Sequence, residues 1–230
     1  MSPPPFTSAG VLRGARLMIG FVPSSIAFGL GFGLAADQAG LSLLESTLMS
    51  ALLFAGTSQL AALQIWTAPL PFWPIVITVM AVNSRQFLMS ATMRPWFGRL
   101  PRWRAYLTLG LLVDANWAVA MRERARGDQD AGVFLGAGLV LYVFWTASSA
   151  LGHAVGAMIP DPRALALDYI VPGFCVVLLL GMWRGKGDLV PWLVAAATAV
   201  LVATLVPGNW HVLAGGLAGS LVGAFGRDPR

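Results

Sequence analysis

Hydrophobic residues in this chain come in long runs separated by short polar turns. A helix needs about 20 mostly apolar residues to cross a bilayer, and eight runs meet or approach that length: residues 14–36, 42–66, 72–92, 105–121, 131–153, 165–183, 188–206 and 210–225. The expectation is an all-α fold, a polytopic integral membrane helical bundle of about 7–8 spans. The punctuation agrees with these limits. Ser42 followed by Glu45 makes a capping box at the start of the second run, and Pro69, Pro71 and Pro74 surround the turn before the third. Pro23 in the first run and Pro172 in the sixth predict helix breaks, because a proline removes an amide donor and its ring clashes with the preceding turn. Gly29 and Gly33 permit close backbone approach to a second helix.

Residues 1–12 read as a polar, proline-rich N-terminal tail and residues 13–226 as a single transmembrane domain. If all eight runs crossed from an internal N-terminus, nine basic residues would face inward and five outward. The densest arginine segment, Arg94 to Arg104, would then lie on the outer face, against the preference of arginine for the inner one. A re-entrant second or fourth segment would change that count. Residues 29–56 and 148–175 also share a pattern of span end, polar turn and acid. This suggests an internal repeat that places Glu45 and Asp168 alike.

Composition strengthens the membrane reading. The chain is 57% hydrophobic and only 11% charged, with mean hydropathy +0.73, too apolar for a soluble globule of 230 residues and with no room left for a soluble catalytic domain. The net charge of +5 comes from arginines between apolar runs, a topology signal and not a nucleic-acid patch. The first run lacks a small-residue cleavage site, so no cleaved signal peptide is expected. The single Cys175 allows no intramolecular disulfide. His153 and His211 have no metal-ligand spacing, and no HExxH, GxSxG or Walker pattern occurs. The chemistry is therefore expected to be that of a non-enzyme, with no cofactor and no metal.

The informative polar residues sit inside apolar runs. Gly56, Ser58 and Gln59 interrupt the second run, Asn83 and Arg85 the third, and Asp114 the fourth. A charge near the bilayer centre costs roughly 2.5–3.5 kcal/mol on insertion scales, so Arg85 must face protein or water and have a partner. One reading makes Arg85, with the break at Gly56, a substrate-binding site in which Ser58, Gln59 and Asn83 assist. Asp114, Glu45 and Asp168 are then candidates for proton or charge coupling. The other reading makes Arg85 and Asp114 a structural ion pair, with Glu45 and Asp168 placed near span starts to meet helix dipoles. Phe54, Leu60, Phe87 and Met89 could line an apolar pocket beside them.

In their order and spacing, Gly20-Phe-Val-Pro23, Phe28-Gly-Leu-Gly-Phe-Gly33, Gly40-Leu-Ser-Leu-Leu-Glu45, Phe54-Ala-Gly-Thr-Ser-Gln59, Asn83-Ser-Arg85, Asp114 and Leu167-Asp-Tyr169 resemble the AzlC family. That family comprises the large subunits of bacterial branched-chain amino acid exporters. The resemblance covers residues 10–225 and departs from the family pattern at Gln86 and Ala115. It implies a multi-pass permease of the bacterial inner membrane that exports valine, leucine, isoleucine and in some members methionine. It also implies a hetero-oligomer with a small AzlD-type membrane subunit. A structural subunit supporting a partner transporter and a channel for small solutes are the rival readings.

Overall fold

The computed structural model describes residues 6–97, 100–158, 176, 183, 185–206 and 210–225. All of its regular elements are helical. Helix α1 (Ser8–Met18) passes through a 3-10 turn (Ile19–Phe21) into α2 (Val22–Gln38), making one apolar rod of 31 residues. The helix starts at Ser8 with Thr7 as its N-cap, so it takes in part of the expected polar tail. Pro23 lies in the first turn of α2, where a missing amide costs little. The rod tightens there but does not break, which corrects the expectation of a helix break at Pro23.

This rod packs along α9 (Gly132–Gly156), and the two helices run in the same direction. Thr7 meets Asp130 at one end, and Asp37 approaches Gly156 at the other. Between them the backbones touch. A methyl group added at Gly14 would run into the Val133 carbonyl, and one at Gly33 into the Ser149 carbonyl. Gly29 and Gly33 therefore serve helix contact, as their spacing suggests.

The second apolar run does not cross the membrane. Helix α3 (Leu43–Leu53) opens with the expected Ser42–Glu45 capping box and lies antiparallel to α9, with Leu41 at the level of His153 and Ala51 at that of Tyr142. Phe54 then adopts a left-handed conformation at φ 41°, and α4 (Gly56–Leu63) turns back. The Gln59 amide Nε2 donates to Ser50 Oγ at 3.2 Å. In a straight helix those positions would be roughly 13 Å apart at 1.5 Å per residue, so the bond marks a hairpin.

After the turn at 64–71, α5 (Phe72–Thr92) crosses to the other face and continues into the short α6 (Arg94–Phe97). Phe97 stacks edge-on with Phe134 at 5.5 Å and lies 6.2 Å from Phe6, which places it at the same face as the start of α1. Helix α7 (Arg102–Leu109) enters from that face, breaks at 110–113, and α8 (Asp114–Ala125) returns to it. There the Arg124 guanidinium covers Trp96 at 5.5 Å and Arg13 pairs with Asp128. At this second tip Asn116 is fully buried; its Oδ1 accepts from the Val113 amide at 2.9 Å and its Nδ2 donates to the Leu111 carbonyl at 2.7 Å. The second and fourth runs are thus re-entrant, the alternative that the arginine count raised, and this leaves fewer full crossings than eight.

The described helices repeat a unit in opposite senses: a crossing helix followed by a hairpin entering from the face just reached. The first copy is α1–α4, the second α5–α8. Of the echo expected between residues 29–56 and 148–175, most of the second member lies outside the described residues, as do Asp168, Pro172 and Cys175. Helix α10 (Leu189–Leu205), preceded by a 3-10 turn (Lys186–Asp188), packs against α11 (Trp210–Phe225), where Gly215 and Gly219 meet Ala195.

The hairpins also settle the charge asymmetry. Arg13, Arg16, Arg94, Arg102, Arg104, Arg122, Arg124 and Arg126 gather towards one face, whereas the opposite turns at 39–42 and 64–71 contain no lysine or arginine. The positive-inside rule predicts that the arginine face is the cytoplasmic one.

Candidate functional site

Arg85 lies midway along α5, where the two hairpin tips approach each other. Its Nη2 donates to Thr57 Oγ1 at 3.0 Å and sits 3.0 Å from Asp114 Oδ2. Thr57 is in the first turn of α4, and Asp114 is the first residue of α8. Each tip therefore turns a helix N-terminus towards the arginine, and each N-terminus carries the equivalent of about half a positive charge. One guanidinium and two N-termini face one carboxylate. The local balance favours a further anion.

The ion pair is open. Arg85 and Asp114 side chains are 43% and 58% exposed, so protein does not enclose the pair and another partner can reach it. On another face of α5 from Arg85, Val79, Met80, Asn83, Gln86 and Phe87 line an open groove of about 240 Å³ bordered by Leu109 and Leu112. Gln86 Nε2 reaches the Leu112 carbonyl at 3.4 Å, tying α5 to the tip of the α7–α8 hairpin. Asn83 Oδ1 is buried and has no hydrogen-bond partner among the described residues, and a buried amide oxygen left unpaired costs about 1–3 kcal/mol.

Residues expected to act together separate into layers. Arg85 and Asp114 meet directly, and Asn83 lines the groove. Gly56 is pressed against α9, where an added Cβ would come within 2.5 Å of the Trp145 ring. Ser58 and Gln59 are fully buried on the side of α4 away from Arg85; the Ser58 hydroxyl donates to the Ala55 carbonyl at 2.8 Å and Gln59 bonds to Ser50. They build the tip. Glu45 stands at the opposite face, its carboxylate held at 2.7 Å by both the amide and the hydroxyl of Ser42, and does not meet Arg85. Of the expected apolar lining only Phe87 faces the groove. Phe54 and Leu60 pack in the core around Trp145, and Met89 packs near Trp96. Thr57 lies within the quoted Phe54–Gln59 stretch and Gln86 is a departure from the family pattern, but the sequence assigns neither a role, and Asn116 follows Asp114 by two positions.

The chain matches the family model described as AzlC protein over residues 19–159, a stretch that holds both hairpins and Arg85. It is 27% identical over 205 residues to the inner membrane protein YgaZ of Escherichia coli, covering 86% of this chain and 81% of that protein. It is 23% identical over 198 residues to an uncharacterized membrane protein of Haemophilus influenzae, covering 80% of each. To the branched-chain amino acid transport protein AzlC of Bacillus subtilis it is 21% identical over 192 residues, covering 83% of this chain and 74% of that protein. No solved structure matches the chain significantly. The helical architecture, the polar junction inside apolar segments and the match across both hairpins lead to one assignment: the chain belongs to the AzlC family of inner-membrane transport proteins.

Proposed function

We propose that this protein exports amino acids with branched or otherwise hydrophobic side chains, with the Arg85 junction as the binding site. The single observation that carries this reading is the placement of Arg85 between two helix N-termini, on a helix that also lines an apolar groove. A zwitterion with an aliphatic side chain needs an anion site next to a small apolar space. The carboxylate of the substrate takes Asp114's place on Arg85, and its side chain enters the groove between Val79, Phe87 and Leu112. Asn83 then gains a donor from the ammonium group. Asp114, released, accepts a proton or faces the ammonium, which links transport to protonation. The two hairpins enter from opposite faces, so withdrawal of one or the other opens the junction to one side at a time.

The name of the Bacillus subtilis relative supports branched-chain amino acids as the class. Export as the direction, methionine as a further substrate and a small AzlD-type partner subunit are carried by the family resemblance.

The test is efflux of labelled valine and methionine from cells lacking other exporters. The cells express the chain alone, the chain with a small partner, or the Arg85→Ala form with that partner. Saturable efflux that disappears with Arg85→Ala, at equal protein in the membrane, is the expected result. Background efflux from the wild-type chain in both settings overturns the substrate assignment. Equal efflux by wild type and variant leaves a supporting subunit as the better reading.

A further inference from the structure

Apart from Arg16 on α1, the arginines of this face divide into two sets. Arg13 pairs with Asp128, Arg122 and Arg126 approach Glu123, and Arg124 lies over Trp96. Arg94, Arg102 and Arg104 are exposed and have no carboxylate partner among the described residues; the Arg104 guanidinium lies over the ring of Trp103 at 5.1 Å. None can be found nearby in the chain, because no aspartate or glutamate occurs between Glu45 and Asp114.

This unpaired set has a fixed mount. Trp96 and Phe97 are 2% exposed and hold α6 against Ala131 and Phe134, while Ala105 and Leu109 of α7 pack on the same cluster. The other side of α7 turns Trp103, Tyr106 and Leu107 outward at 61%, 72% and 69% exposure. Aromatic rings of this kind seat at headgroup depth. Guanidinium groups beside them, with no carboxylate in reach, match phosphate oxygens, which they bind in a two-pronged fashion.

We propose that Arg94, Arg102 and Arg104 bind anionic phospholipid headgroups of the cytoplasmic leaflet and so fasten the root of the α7–α8 hairpin. The bound lipid contacts the entry of α7, whose far end, Leu109, borders the groove along α5. The proposal concerns lipid binding alone and does not depend on which solute is carried.

The purified full chain is reconstituted in phosphatidylcholine vesicles with or without phosphatidylglycerol. Phosphatidylglycerol retained by the protein is then counted by native mass spectrometry, and amide hydrogen exchange is followed over 102–109. Each arginine near an anionic surface contributes roughly a fivefold factor, so R94Q/R102Q/R104Q should bind phosphatidylglycerol on the order of 100-fold more weakly. R122Q, which alters an already paired residue, should bind it as wild type does. Phosphatidylglycerol should slow exchange over 102–109 in wild type and not in the triple variant, and inorganic phosphate should not displace the lipid. Equal retention by wild type and triple variant, with both folded by circular dichroism, overturns the proposal. Displacement by inorganic phosphate also overturns it, in favour of a free-anion site.

Discussion

Arg85 and Asp114 are legible in the sequence because a charge inside an apolar run is rare and costly, and the structure brings the two within 3.0 Å. The roles of Ser58 and Gln59 are not legible. Successive residues on a helix differ by about 100° in direction, and only tertiary packing decides that Thr57 faces Arg85 while its two successors face the core. The same packing yields stability predictions. Asn116→Leu leaves the Val113 amide and the Leu111 carbonyl unpaired at a buried tip, so it should cost about 1–3 kcal/mol for each group. A drop in melting temperature together with lost transport is the expected pattern. An unchanged melting curve would show that another group supports the tip.

A second residue-scale prediction concerns pH. Burial alone would push the Asp130 carboxyl up, but the Thr7 hydroxyl, the amides of Gly132 and Thr7 and the charge of Arg13 together hold it below the ordinary carboxylate range. A carboxylate with a depressed value adds stability above its unfolded range, and this is lost as the pH falls through the depressed value. Thr7→Val removes a hydrogen bond to a charged group, worth about 1.5–3 kcal/mol. Melting of the variant in detergent should therefore fall below wild type at neutral pH, and the gap should narrow in acid. A gap independent of pH would contradict this assignment.

At the scale of elements, the chain's helices could be placed well from hydropathy, and α5 matches its expected run of 72–92. The hairpins could not. A 25-residue apolar run containing a glycine has the same composition whether it crosses the membrane or turns back at Gly56. The decision rests on a left-handed Phe54, a Ser50–Gln59 bond and the Trp145 ring against Gly56. Pro23 misled for a related reason: proline is a break signal in a helix interior but fits a first helical turn, and a 3-10 segment supplies that turn. The topology is directly testable. In a Cys175→Ser background, cysteines at the exposed positions Gln38 and Thr67 should be labelled by an impermeant maleimide from one face only. Those at Arg102 and Gln129 should be labelled from the other face only. Opposite faces for Gln38 and Thr67 would mean that the α3–α4 segment crosses.

At the scale of the whole molecule, two oppositely oriented crossing-plus-hairpin units place two helix N-termini at one arginine in the middle of α5. Neither unit forms the site alone. The arginine-rich face, awkward when every run is counted as a span, becomes consistent once both hairpins return to their own sides. In the proposed transport cycle this junction is the point opened to one face or the other.

The most direct test is ligand protection at that junction. Asn83→Cys is introduced in the Cys175→Ser background, and its maleimide labelling in proteoliposomes is measured with valine, with isobutylamine, which lacks the carboxylate, or with no addition. Valine should slow labelling in a saturable way, isobutylamine should not, and Arg85→Ala should abolish the protection by valine. Labelling indifferent to valine, or protection that persists without Arg85, would contradict the claim that this junction receives the substrate carboxylate.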